Sequence, residues 1–161
     1  MAEAIHFVKN GVRLRMPDKK LIKLWIERVA GKEGYAIESL DFIFCSDAFV
    51  HQLNKDFLDH DYLTDILTFN LKEGRSKTIS GEIYISADRV RENSLIFKTT
   101  FTQELLRVII HGVLHLMGYD DKTKVKMARM REQEDKCLRM FHVKHKTIGS
   151  PRPKKKRSGS K

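Results

Sequence analysis

The segment over residues 104–116 constrains the fold more than any other part of the chain. Read as a helix, it places apolar side chains on nearly every side, from Leu105 to Leu116. A helix of this kind is normally buried. Thr100 and Gln103 have the spacing of a capping box, which marks a helix start, and Gly118 suits a left-handed cap at the end. The sequence therefore predicts a fold packed around one central helix.

Shorter segments on either side alternate between strand and helix patterns. Strands are predicted over residues 40–45, 66–70 and 82–86, with an edge strand at 5–8 or 12–14, and helices over 17–31, 46–57, 86–94 and 123–141. The polar residues 71–81 are predicted to join two strands as a hairpin loop. This alternation indicates an α/β or α+β domain in which helices pack on a small sheet.

The positive charge of the chain is concentrated at its C-terminal end. There are 31 Lys and Arg against 21 Asp and Glu, but residues 144–161 hold eight of the basic side chains and no acidic one. Residues 1–143 are nearly neutral, with 23 basic and 21 acidic side chains. We therefore expect a folded domain over 1–144 and a basic disordered tail over 145–161, which contacts phosphate through salt-sensitive interactions.

The composition excludes several classes of protein. The chain has no apolar run near the roughly 18 residues that a membrane span needs, and two cysteines are too few for a disulfide scaffold. The N-terminal residues lack the basic region and the apolar core of a signal peptide. We expect a protein of the reducing cytoplasm that does not contact membranes.

A candidate metal site lies at the end of the central helix. His111 and His115 are four residues apart, so both imidazoles occupy one helix face. Gly118 lets the chain reverse, which brings Asp121 within reach of the same ion, with Asp120 as the competing candidate. Two imidazoles and a carboxylate suit a catalytic zinc with a fourth position for water, although non-haem iron uses the same ligand types. The alternative is that both histidines are buried polar residues with backbone partners.

The residue after the first histidine restricts the chemistry of such a site. Metalloproteases of the HExxH kind carry their general base, a glutamate, at this position, whereas this chain has Gly112. Peptide hydrolysis is therefore less favoured. Water activated by a metal ion remains available as nucleophile or base.

The stretch HGVLHLMGYD, which begins at His111, resembles the YbeY family of bacterial metal-dependent endoribonucleases. Leu53-Asn54, residues 64–69 and residues 81–86 agree with that family in order and spacing, and the resemblance covers residues 20–141. It implies a small mixed four-stranded sheet packed with about five helices, a zincin-like core and one Zn²⁺ per chain. It also implies cleavage of single-stranded RNA in rRNA processing, including 16S rRNA 3′-end maturation, and a role in ribosome quality control. The implied partners are the small ribosomal subunit, ribosomal protein and GTPase assembly factors.

Two positions depart from the family pattern. Asp121 stands where the family has a third histidine, and Leu58 stands where it often has an arginine facing the metal cleft. Because zinc accepts carboxylate, we expect His111, His115 and Asp121 to hold the ion. Arg107, one turn before His111, is the candidate for the missing catalytic charge, the alternative being an ordinary salt bridge or a surface position.

Basic residues in the predicted hairpin loop are candidates for RNA contacts. They are Lys72, Arg75 and Lys77, although a loop of this kind is commonly only solvated.

Two other functions fit the candidate metal site. One is a non-enzymatic rRNA-binding assembly factor with a structural metal, and the other is a metallohydrolase with a substrate other than RNA.

Overall fold

The structure, a computed structural model, describes residues 3–60 and 63–145, with side chains described as far as residue 141. The predicted basic tail therefore lies outside the described residues, except for residue 145. No helix in these two ranges has the length and apolar composition that a bilayer crossing requires.

Four strands and five helices follow one another along the described residues. They are β1 (Ile5–Lys9), α1 (Lys19–Lys32), β2 (Ala36–Cys45), α2 (Asp47–Leu58), β3 (Ile66–Asn70), β4 (Thr78–Ser86), α3 (Ala87–Ile96), α4 (Phe101–Leu116) and α5 (Lys124–His145). The sheet order is β1-β2-β4-β3, in which β1, β2 and β4 are parallel and β3 runs antiparallel to β4. The predicted α+β class, mixed four-stranded sheet and five helices are confirmed, and the edge strand lies at the first of its two predicted places.

The two central strands are longer than the sequence predicted. β2 starts at Ala36 rather than at residue 40, and β4 starts at Thr78 rather than at residue 82. The added residues pair with each other, Ala36 with Thr78 and Ile37 with Ile79. Sheet pairing therefore extends both strands beyond the aromatic and aliphatic runs from which they were predicted. The connection between β3 and β4 is correspondingly shorter than predicted and covers residues 71–77.

Helix α4 lies at the centre of the molecule, as predicted. It packs against β3, β4, α3 and α5, and its side chains from Glu104 to Ile110 are all buried. At Gly112 the helix backbone lies so close to the sheet that a Cβ atom there would come within 2.8 Å of Ile83 Cδ1. This close approach fixes the end of α4 over the sheet.

Helix α5 packs on α4 and is tied to α1. Trp25 of α1 donates from Nε1 to the carbonyl oxygen of Cys137 at 2.7 Å, and its ring meets Phe141 edge-on at a centroid distance of 5.2 Å. Met130, Cys137 and Phe141 are buried and form an apolar stripe of α5 that belongs to the core. These contacts hold the second half of α5 against α1.

Candidate metal centre

The last turns of α4 bring two imidazoles together. His111 and His115 lie one turn apart, and their Nε2 atoms are 3.1 Å from each other. Both side chains are only partly exposed, at 14% and 28%. The two ring nitrogens therefore converge on one point at the end of the helix.

The chain reverses after α4 and returns a carboxylate to that point. Gly118 adopts a φ of +101°, which a residue with a side chain rarely adopts, and Tyr119 donates its backbone N–H to the carbonyl oxygen of Leu114 at 3.0 Å. Asp121 then lies with its carboxylate oxygens 3.6 Å from His111 Nε2 and 3.8 Å from His115 Nε2. The predicted left-handed glycine cap is present, and the chain reversal that it allows brings Asp121 to the site as the third group.

The competing carboxylate, Asp120, is engaged elsewhere. Its side chain accepts hydrogen bonds from the backbone N–H of Lys122 at 3.1 Å and from Lys126 Nζ at 3.2 Å. The hydrogen bond from the backbone of Lys122 lowers the pKa of Asp120 most, and the bond from Lys126 lowers it further. Among the described residues, the group able to hold a metal consists of His111, His115 and Asp121.

The spacing of these three groups fits a small tetrahedral ion. Bonds of about 2.0–2.1 Å to a tetrahedral zinc separate the ligand atoms by about 3.3 Å. The two histidine Nε2 atoms are 3.1 Å apart, close to that value. One oxygen of Asp121 lies 3.6 Å from Nε2 of His111 and the other lies 3.8 Å from Nε2 of His115, and one donor atom from each residue lies within 4.8 Å of the other two. Three protein ligands also leave the fourth position that catalytic zinc sites keep open.

A buried ion-pair chain behind the site orients His111. Its Nδ1 donates to Glu134 Oε2 at 2.6 Å, and Glu134 Oε1 accepts from Arg107 Nη1 at 2.7 Å. Arg107 Nη2 also donates to Asp135 Oδ1 at 2.8 Å. A proton on Nδ1 leaves the Nε2 lone pair of His111 facing the site, which is the usual arrangement of a metal-bound histidine and its carboxylate partner.

Sequence reasoning missed Glu134, although a signal for it exists. Glu134 lies on the same stripe of α5 as Met130, Cys137 and Phe141, and like them it is buried. A carboxylate within an apolar helix stripe needs a partner. Two such partners, His111 and Arg107, lie on α4. The sequence pattern already identifies α4 as the helix that carries the candidate site.

The structure places Arg107 behind the histidine rather than beside a substrate. Its side chain is 4% exposed and forms ion pairs with Glu134 and Asp135. The salt bridge named above as the alternative for Arg107 is therefore present, and Arg107 is not among the described residues that line the neighbouring cavity.

The basic loop residues also lie apart from this cavity. Lys72 Nζ donates to the carbonyl oxygen of Ser76, and Lys77 Nζ donates to that of Glu33, each at 3.0 Å. Neither these two lysines nor Arg75 belongs to the described residues of the cavity wall. The structure thus brings together the three predicted metal ligands but not the three loop cations.

Burial affects the protonation of His115. Burial lowers its pKa, the neighbouring His111 lowers it further, and Asp121 opposes both effects. The imidazole is therefore neutral at pH 7, which is the form that offers a lone pair to a metal ion.

The metal group opens onto a cavity of about 550 Å³. Its walls come from the end of α2 with Asn54 and Leu58, from residues 64–67 at the start of β3, and from the first turns of α5. Leu58 and Met127 are exposed on the cavity wall, at 41% and 42%. A cavity of this size accommodates a nucleotide-sized group.

Residue 112 cannot carry the base of an HExxH metalloprotease in this fold. A Cβ atom on Gly112 would lie 2.8 Å from Ile83 Cδ1 and 3.1 Å from Ile66 Cδ1. The position is filled by the sheet, so a glutamate has no space there. The glutamate base of HExxH metalloproteases therefore has no counterpart at this position.

The chain is similar to known proteins over most of its length. A sequence model described as "Endoribonuclease YbeY" matches residues 8–142. A protein of that name from Cytophaga hutchinsonii is 46% identical over 84% of this chain and 94% of its own length. Another, from Porphyromonas gingivalis strain W83, is 41% identical over 91% of this chain and 93% of its own length. A solution structure of a Thermotoga maritima protein is similar with a TM-score of 0.57 and 30% identity, over 91% of this chain and 97% of that one.

Proposed function

This chain belongs to the YbeY endoribonuclease family, and from that membership we propose that it cleaves single-stranded RNA in rRNA processing. The proposal includes 16S rRNA 3′-end maturation and ribosome quality control. The relatives are named endoribonucleases and match the chain over most of its length. The reaction is the cleavage of a phosphodiester at the cavity described above.

One observation carries the proposal, namely the convergence of His111, His115 and Asp121 at the wall of a nucleotide-sized cavity. These residues would hold one Zn²⁺ per chain, because their donor atoms and separations fit a tetrahedral zinc. An ion bound there supplies a Lewis acid, which polarises a phosphoryl oxygen and makes water more acidic.

The remaining residues of the site prepare the ligands. Glu134 holds a proton on Nδ1 of His111 and leaves Nε2 available, while Arg107 holds Glu134 in place. We therefore assign Arg107 a positioning role in place of the direct catalytic contact predicted from the sequence. The absence of a side chain at Gly112 weighs against peptide hydrolysis.

Contacts outside the cavity complete the proposal. Lys72, Arg75 and Lys77 would contact the RNA away from the cleavage site, and the basic residues of 145–161 would add salt-sensitive phosphate contacts. The partners are the small ribosomal subunit, a ribosomal protein and GTPase assembly factors, and the location is the cytoplasm, where rRNA is processed.

A cleavage assay on purified protein tests the proposal. The full chain is incubated with zinc and a single-stranded RNA that carries a 16S 3′-end precursor sequence. The test variant is His115→Ala, and a chelator-treated sample is included. The matched control is His6→Ala, because His6 is an exposed histidine that pairs with Asp41 on the sheet, away from the cavity.

We expect cleavage by the wild type and by His6→Ala, and loss of cleavage in His115→Ala and in the chelated sample. Cleavage that persists unchanged in both of these samples would overturn the metal mechanism. RNA binding without cleavage in any sample would favour an assembly factor with a structural metal. Hydrolysis of other substrates in place of RNA would favour the remaining alternative, a metallohydrolase of different specificity.

A further inference from the structure

One face of α5 forms a wall of the cavity and has a defined pattern. Lys124, Met127, Ala128 and Arg131 all line the cavity. Their spacing of three, four and seven residues places them on one side of the helix. A cation thus stands at each end of this face, about 10 Å apart along the helix axis, with apolar side chains between them.

Among the described residues, these two side chains are the cations that the cavity wall offers to an anion. Among the described residues of the wall, Lys124 and Arg131 are the lysine and arginine side chains, and both are at least partly exposed. The wall also contains the carboxylates of Asp65, Asp121 and Glu134. Asp121 faces the histidines, and Glu134 is already engaged by His111 and Arg107.

Arg131 is the cation beside the carboxylate that orients His111, whereas Lys124 lies three residues after Asp121. Arg131 precedes Glu134 by three residues, so the two side chains are neighbours on α5, and Glu134 contacts a metal ligand at 2.6 Å. A guanidinium has five N–H donors in a planar fork, so it can hold a protein group and a phosphate together. This fork matches two phosphate oxygens at once, which an ammonium group does not.

The apolar part of the cavity fits the rest of a nucleotide. Met127 on α5 and Leu58 on α2 line the same space and are each about two-fifths exposed, at 42% and 41%. Exposed apolar side chains from two walls offer a surface on which an unpaired base can pack. A phosphate group at Arg131 and a base at this surface together describe a stretch of single-stranded RNA.

We propose that Arg131 binds the RNA phosphate beside the metal centre, with Lys124 binding a second phosphate farther along the same strand. The proposal rests on the proposed function, because it names the groups that hold the substrate of that reaction. Helix α5 thus provides the two cations of the cavity wall, while Leu58 on α2 provides an apolar side chain.

The test compares Arg131→Gln with Arg131→Lys, Lys124→Gln and a matched control. The control is Arg139→Gln, because Arg139 is an exposed arginine on the same helix and lies outside the cavity wall. The zinc-loaded proteins are assayed for kcat and KM on a short single-stranded RNA. Zinc content and thermal stability are measured in parallel. RNA affinity is measured between about 50 and 200 mM salt, because phosphate contacts depend on salt in this range.

We expect Arg131→Gln to lower kcat/KM by about 100-fold with unchanged zinc content, and Arg131→Lys to recover part of this loss. Lys124→Gln should raise KM and reduce the salt slope of RNA binding by about 0.7. Arg139→Gln should match the wild type. Equal kcat/KM and equal salt slopes for Arg131→Gln and Arg139→Gln would overturn the proposal.

Two other outcomes also decide the question. If Arg131→Gln does not fold, Arg131→Lys is assayed instead. Values of KM and kcat equal to those of the wild type in Arg131→Lys would then overturn the bidentate contact. If the wild type does not cleave RNA at all, the proposed function fails. RNA affinity then still tests Arg131, because equal affinities of Arg131→Gln and Arg139→Gln would overturn its role in binding.

Discussion

At the scale of single residues, two adjacent carboxylates have different surroundings. Asp121 lies within 3.6–3.8 Å of both histidine Nε2 atoms, while Asp120 bonds to Lys122 and Lys126. Side-chain type and sequence distance are almost the same for the two. Their positions after the reversal at Gly118 determine which one reaches the site.

We therefore predict that Asp121→Ala lowers zinc affinity by at least about 100-fold, the upper range found for loss of a supporting group, because it removes a direct ligand. Asp120→Ala is the control and should keep its zinc. Metal content after dialysis against a zinc buffer measures both. Greater loss of zinc from Asp120→Ala than from Asp121→Ala would show that the other carboxylate is the ligand.

The buried chain from Arg107 through Glu134 to His111 gives a second prediction. Glu134→Gln removes the charge that faces a buried guanidinium, so we expect a loss of about 3 kcal/mol of stability. Zinc affinity should also fall by about 10- to 100-fold. Urea unfolding and zinc titration measure the two effects.

Asp135→Asn serves as the control for Glu134→Gln. Asp135 pairs with the same arginine but is 42% exposed, and it is Glu134 that bonds to His111. We expect a small loss of stability and unchanged zinc affinity. An equal loss of zinc in both variants would contradict the orienting role of Glu134.

The sequence predicts those residues of the site that lie close together along the chain. His111, His115 and Asp121 lie within one helix end and one turn, so spacing alone brings them together. Glu134 comes from another helix, and its contact with His111 depends on how α5 packs on α4. For Arg107, the sequence spacing correctly placed the residue on the helix face of His111. It could not show that two carboxylates, Glu134 and Asp135, pair with the guanidinium.

At the scale of secondary structure, the elements with strong internal patterns were predicted best. Helix α4 has its capping box, apolar sides and glycine end in the sequence, and the structure confirms all three. The first residues of β2 and β4 carry no such pattern. Their strand conformation depends on pairing with each other across the sheet, which a single segment does not encode.

The contact between α4 and the sheet gives a prediction for Gly112→Glu. A glutamate at this position would force apart Ile83 and Ile66 and bury a charge. We expect a loss of stability of more than about 3 kcal/mol and no gain of peptidase activity, although the variant completes an HExxH sequence. Thermal unfolding and a peptide-cleavage assay measure these effects.

The control is Gly31→Glu in α1. A Cβ atom on Gly31 meets no other atom within 4 Å, so the change should leave stability the same or slightly higher, since glutamate favours helix more than glycine does. Similar unfolding temperatures for the two variants would contradict the close approach of α4 to the sheet.

At the scale of the whole molecule, the charge and the site are separated along the chain. Residues 1–143 are nearly neutral, and the excess of basic residues lies after them. The metal ligands and the cavity belong to the neutral part. Net charge alone therefore indicates the kind of partner but not the place where chemistry occurs.

We predict that deletion of residues 146–161 weakens RNA binding at low salt without changing zinc content or kcat. The deletion removes seven basic side chains, and each cation that no longer neutralises a phosphate reduces the salt slope on single strands by about 0.7. Affinity measured at several salt concentrations tests this. A decrease in zinc content or in kcat of the truncated protein would show that the segment belongs to the catalytic unit.

The contact of His111 with Glu134 has a consequence for how the protein is made. All three metal ligands precede residue 122, whereas the carboxylate that orients His111 and the helix that closes the site come later in the chain. A nascent chain that has emerged only to Asp121 therefore has every ligand but neither the fixed tautomer nor the cavity wall. The last helix must therefore leave the ribosome before the orienting carboxylate and this wall of the cavity can take their places.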